Sequence, residues 1–174
     1  MLGKVMPVSR VVMIIAVAAL VIGIVFVAMG VTKANWITSQ MAQEKVPVSI
    51  FEGNATGYVD SAATAQIAAD TIKEHRQNIA PTYRDLTKYG RKGYDPTNTD
   101  PYPPNPTMTI GQAMLDYTQA LNMENYLYMG VFALGFTQAV TVIGVFMILV
   151  GIALLAVWAA IRKKKAAEVK VKST

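Results

Sequence analysis

The 174-residue chain contains no cysteine and a single histidine, His75. The first absence excludes disulfide staples, thiolate metal ligands and thiol catalysis. The second leaves a lone imidazole with no partner of its kind from which to build a metal site. Phosphate-binding loops, dinucleotide fingerprints, nucleophile elbows and zinc-binding helix motifs are also missing. Charge is missing locally: residues 11–31 form a run of 21 without one, and residues 129–161 a run of 33.

Those two runs hold much of the 53% apolar content. At about 1.5 Å per helical residue, 21 residues cover roughly 30 Å, the thickness of a bilayer's hydrocarbon core. Both are expected to be helices, because a two-stranded hairpin would leave backbone groups unpaired in lipid. A cleaved signal peptide is the alternative for the first run. Its apolar stretch would be about 7–15 residues ending at a small-residue site, whereas this run is longer and exits through Val31-Thr32-Lys33-Ala34.

The 16 bases and 11 acids are divided unevenly. Lys4, Arg10, Arg162, Lys163, Lys164, Lys165, Lys170 and Lys172 lie outside the runs, against one acid, Glu168, giving +7. Between the runs eight bases face ten acids, giving −2. Basic flanks stay in the cytoplasm. The pattern predicts a mainly α membrane protein: an antiparallel two-helix transmembrane hairpin with a mostly helical extracytoplasmic loop domain. Its expected parts are a cytoplasmic tail (1–10), a first span (11–31), an external domain (32–128), a second span with an external extension (129–161) and a basic cytoplasmic tail (162–174). The surplus of bases speaks for membrane topology and anionic headgroups, and not for nucleic acid.

Small residues recur every seven positions in the first run, at Ala16, Gly23 and Gly30, with Ile37 continuing the row. The second run has Thr137, Gly144 and Gly151 at the same interval. Such rows let two helices approach closely in lipid. In an antiparallel pair Gly30, Gly23 and Ala16 meet Thr137, Gly144 and Gly151 in turn. Trp36 and Trp158 are the expected interface anchors, with Arg162, Lys163, Lys164 and Lys165 fixing the inner end. Neither run contains an ionisable group of the kind that marks an ion path.

Between the runs, Val46, Val48 and Ile50 alternate, predicting a short extended edge segment around Pro47. Glu52-Gly53-Asn54 reads as a turn, and Asn54-Ala55-Thr56 matches a glycosylation acceptor relevant only to a eukaryotic source. Asp60 or Ser61 is expected to cap a helix reaching about Asn78, with Ala65, Ala68, Ile72 and Ile79 on one face and His75 partly buried among them. Residues 83–86 predict another helical turn. Residues 88–107, rich in glycine and proline, are expected to be irregular. Asp95, Asn98 and Asp100 carry oxygen ligands but lack the spacing and distal glutamate of a calcium loop. Thr109 with Gln112 predicts a capped helix presenting Ile110, Met114, Tyr117, Leu121 and Tyr128, interrupted by Glu124 and bent near Asn122 or Asn125. Tyr126, Tyr128, Phe132 and Phe136 are expected on an apolar stalk that packs the external domain or a partner.

Several short segments resemble a family of small bacterial two-span membrane proteins of unknown function, found notably in actinobacteria. They are Ser39-Gln40-Met41-Ala42-Gln43-Glu44-Lys45-Val46-Pro47-Val48, Ala68-Ala69-Asp70-Thr71-Ile72-Lys73-Glu74-His75, Thr82-Tyr83-Arg84-Asp85-Leu86, and the glycine-spaced second run. The resemblance implies the same two-span architecture. Members sometimes carry the label of an aromatic-ring-opening dioxygenase subunit. A non-haem iron centre of that kind needs two histidines and a carboxylate, and this chain has one histidine. The expectation is therefore a non-enzymatic protein of the plasma membrane without catalytic residues, cofactor or metal. It would contact the lipid bilayer and another membrane protein or itself, as an accessory subunit of an envelope complex. The alternative is an external ligand-binding or sensing module, using the loop at residues 89–102.

Overall fold

The computed structural model describes residues 8–50, 56–89 and 95–172. It is mostly helical. In order come α1 (Val8–Gln43), a 3-10 turn (Val48–Ile50), α2 (Ala62–Ile79), α3 (Tyr83–Thr87), β1 (Pro101–Tyr102), β2 (Asn105–Thr109) and α4 (Ile110–Lys172). α1 and α4 are each long and apolar enough to cross a membrane. The chain divides into two compact units, Met1–Asn35 with Phe136–Thr174, and Trp36–Gly135.

In the first unit α1 buries Ala16, Ala19, Gly23 and Gly30 and leaves most of its large apolar side chains exposed, among them Ile14, Ile15, Val21, Ile24, Phe26 and Met29. That inverts the pattern of a helix packed in a soluble core, where the large apolar side chains are the buried ones.

The second unit has two small cores. One gathers Leu86, Tyr102, Ile110, Met114 and Tyr117. The other gathers Val48, Val59, Ala65 and Ala68, with Met41 and Leu127 packed against them. Ser61 caps α2: its Oγ accepts from Thr64 N–H at 3.2 Å while Thr64 Oγ1 accepts from Ser61 N–H at 3.0 Å. α2 ends because Pro81 follows Ala80, which is extended at φ −152°. Thr82 caps α3, placing Leu86 fully inside. α1 leaves its helix through Lys45, at a left-handed φ of 49°.

Three local expectations change. The alternation Val46–Val48–Ile50 is spent on a single bridge, Pro47 with Tyr58, after which the chain winds into the 3-10 turn. One buried valine, Val48, is all the second core asks of this segment. The stretch expected to be irregular contains an antiparallel ladder, with Pro101 opposite Thr109 and Tyr102 opposite Asn105. A two-stranded ladder tolerates proline because each strand is paired on one side only. Its far end is fixed by Ile110 N–H to Asp100 O at 2.8 Å and Gly111 N–H to Asn98 O at 2.9 Å. Gly111 is needed there, since a Cβ would fall 2.7 Å from the Asn98 carbonyl oxygen. α4 also runs unbroken past Asn122 and Asn125, which lie on its exposed side and take no backbone bond from it. The expected turn at residues 52–54 and the acceptor Asn54 lie outside the described residues.

Candidate functional site

In the first unit, contacts step down one helix as they step up the other. A Cβ added to Gly30 would lie 2.8 Å from the Thr137 carbonyl oxygen. One on Gly23 would lie 2.7 Å from the Gly144 carbonyl oxygen and 2.9 Å from Ile148 N. One on Gly144 would lie 2.7 Å from Val27 N, and one on Gly151 would lie 3.0 Å from the Ala16 carbonyl oxygen. Backbone faces backbone, with no room for a side chain. Thr137 is buried, and the Thr141 hydroxyl donates to its carbonyl at 2.9 Å, within the same helix. At the basic end the Arg162 guanidinium lies 5.1 Å from the centre of the Trp158 ring, a cation–π contact. Lys163 and Lys164 are exposed, and the Lys165 side chain lies outside the described residues. In the second unit Trp36 is exposed.

The second unit contains a polar cluster that linear reading does not assemble. Arg76 Nε donates to Glu124 Oε2 at 2.7 Å, and Arg76 Nη1 donates to the Tyr117 hydroxyl at 2.5 Å. All three residues are buried. The guanidinium also sits 4.9 Å from the Tyr117 ring centre. The hydrogen bond to Glu124 raises the Arg76 pKa, outweighing burial, which opposes it. Glu124 therefore belongs to the buried face it was expected to interrupt. His75, expected partly buried, is exposed instead. Along α2 it falls about 80° from the middle of the buried face, whereas Arg76, four residues after Ile72, points into it. The readable signal was a matched pair of misfits, one base and one acid each on an apolar stripe. Nearby, the exposed Asp70 accepts from the Tyr128 hydroxyl at 2.5 Å and from Gln66 at 2.9 Å. The two bonds lower the Asp70 pKa, while the carboxylate pushes the Tyr128 hydroxyl up to about 12.

Of the four stalk aromatics, Tyr128 alone is tied down within the second unit. Tyr126 is 73% exposed and Phe132 75%, so neither packs into the second unit, and Phe136, in the first unit, is 62% exposed. Met129 and Met123 are exposed beside them. In the proline-rich stretch Tyr102 is buried, donates to the Ile79 carbonyl oxygen at 2.6 Å and meets Tyr89 edge-on at 5.3 Å. Asp95 Oδ1 accepts from Thr97 N–H and Asn98 Oδ1 from Asp100 N–H, so these oxygens close local turns. Among the described residues no three acidic or histidine side chains gather as a metal site. The second unit also holds a cavity of about 400 Å³, walled by Met41, Glu44, Val46, Ile50, Val59, Met123 and Leu127.

No family model, curated protein or solved structure matches the chain. Function is therefore read from the chain's own residues. Chemically, the arrangement offers close helix contact, a satisfied buried ion pair, an exposed aromatic face and an apolar cavity.

Proposed function

We propose that this is a non-enzymatic, two-span integral protein of the plasma membrane, an antiparallel hairpin acting as an accessory or interaction subunit of an envelope complex. Both termini would be cytoplasmic, and residues 32–128 would form the extracytoplasmic domain. What supports the orientation is the charge division, +7 in the flanks and −2 between the runs.

The observation that carries the interaction role is the exposure of Tyr126, Met129 and Phe132 on α4. Counting back from Arg162, about 20 helical residues fill the hydrocarbon and reach residue 142 or so. These three side chains precede that point by ten residues or more. Lipid tails do not account for them, and water is a poor neighbour for three large apolar groups in a row. A partner that buries aromatic and methionine anchors does account for them. The test is purification in mild detergent followed by mass spectrometry, comparing the native chain with Tyr126→Ser/Met129→Ser/Phe132→Ser. The proposal expects a defined partner, or a second copy, with the native chain and its loss with the variant. Isolation as a lone monomer, or a partner indifferent to the three substitutions, would overturn it.

A second reading, an external ligand-binding or sensing module, is favoured by the apolar cavity.

A further inference from the structure

We infer that one face of α4 in the second unit pairs with the same face of a second copy of this chain, the two helices running parallel. Asn122 and Asn125 then stand opposite their own counterparts. The inference rests on the accessory reading proposed above and names its partner.

Leu115, Asn122 and Met129 recur every seven residues, and Thr118, Asn125 and Phe132 follow them by three. On a helix this is the seam spacing of a two-stranded coiled coil. Leu115, Asn122, Asn125, Met129 and Phe132 are all exposed, while other sides of the same turns bury Met114, Tyr117 and Glu124 in the second unit. Thr118 is half-buried and donates its hydroxyl to the Met114 carbonyl oxygen at 2.8 Å, within α4. Lipid is not the occupant of the row. Asn122 precedes the outer edge of the hydrocarbon, near residue 142, by about 30 Å of helix.

The chemistry of the row selects a second copy. Copies inserted by the same topology signals share one orientation in the membrane. Two of them associate about an axis along the membrane normal, so their α4 helices run parallel and each residue facing the axis meets itself. A face made for a different protein can carry charge met by opposite charge. A face that meets itself cannot, because like charges would oppose each other. This row carries none. The acids of the same stretch, Asp116 and Glu124, lie more than about 100° around the helix from its midline. Its exposed polar members are both asparagines, and a carboxamide donates as well as accepts, so two can bond across a twofold axis. Asparagine at a seam position fixes register and strand number in coiled coils. Asn122 and Asn125 set the alignment here, and Leu115, Met129 and Phe132 supply the apolar area that is buried.

The chain has no cysteine, so single thiols report the pairing in the full-length protein in its native membrane. Leu115→Cys and Met129→Cys should each give a disulfide-linked dimer under mild oxidation, since parallel helices bring equal positions together at both levels. Met123→Cys is the control: it is exposed on the same helix but about 130° from the row, and should stay monomeric. Asn122→Asp/Asn125→Asp should lower the yield of the Met129→Cys dimer roughly tenfold at neutral pH, because carboxylates then face each other. The far-ultraviolet spectrum should not change, as both positions are exposed. Two differently tagged copies should co-purify in mild detergent. Equal dimer at Met123→Cys and Met129→Cys, or a Met129→Cys dimer indifferent to the two aspartates, would overturn the inference. Recovery of a different protein without a second tagged copy, lost with Tyr126→Ser/Met129→Ser/Phe132→Ser, would overturn it and leave the accessory reading standing. Recovery of neither would overturn both.

Discussion

Removing either Arg76 or Glu124 should unfold the second unit far more readily than removing both together with the Tyr117 hydroxyl. At 2.7 Å and an effective dielectric near 20, the gross attraction of the pair is about 6 kcal/mol. Desolvating each ion costs several kcal/mol, so the intact pair stands close to neutral against an apolar replacement of similar size. Breaking it is different. Arg76→Met leaves the Glu124 carboxylate, with its side chain 9% exposed, buried without its cation. Such a loss costs about 3–5 kcal/mol. Hydrogen exchange at the α2 amides between Ile72 and Asn78, in nanodiscs, reads this as roughly two to three and a half decades of faster exchange. Glu124→Leu should act alike. The triple variant Arg76→Met/Tyr117→Phe/Glu124→Leu removes both charges and the hydroxyl that Arg76 serves, and should return to within about 1.5 kcal/mol of the native chain. Single variants within about 0.5 kcal/mol of native, or a triple variant as damaged as the singles, would refute the reasoning.

Three further outcomes follow from the same geometry. Gly23→Leu or Gly144→Leu should push the helices apart, because even a Cβ meets backbone at 2.7 Å; spin labels at Ile22→Cys and Val145→Cys should report a longer, broader distance, while Gly135→Leu, which meets nothing within 4 Å, should not. The Tyr128–Asp70 contact should be pH-bounded. The raised hydroxyl pKa means its stabilisation is full below about 10 and lost on rising to about 12. The lowered carboxylate pKa means it is also lost as pH falls through the Asp70 value. Ultraviolet titration should place Tyr128 near 12, and Asp70→Asn should return it toward 10. Ser61→Ala should cost about 1 kcal/mol, seen as faster exchange in the first turn of α2, because it removes the cap of the Thr64 amide.

The long helices were legible because two uncharged runs of that length have few alternatives in a chain of this size. Helix α2 was legible from Ser61 at its head and Pro81 past its tail. Long-range pairing was not. Arg76 and Glu124 are 48 residues apart, and each alone looks like a surface charge or an interruption. The neighbouring His75 drew attention by rarity, although one step along α2 turned it to solvent. Proline hid the ladder at Pro101–Tyr102 and Asn105–Thr109, since the residue that disqualifies a central strand is admissible in a pair with open edges. The cavity was not legible either, because its walls come from three separated stretches of chain.

Two membrane crossings with residues 32–128 outside are tested most directly by the reach of an impermeant reagent. The absence of cysteine makes the test clean, since one introduced thiol is the only one present. Ala63→Cys, Thr99→Cys and Ala166→Cys lie at exposed positions, and a membrane-impermeant maleimide is applied to intact bacterial cells and to lysed ones. The two loop positions should label in intact cells, and position 166 only after lysis. Labelling of position 166 from outside, or loop positions that label only after lysis, would contradict it.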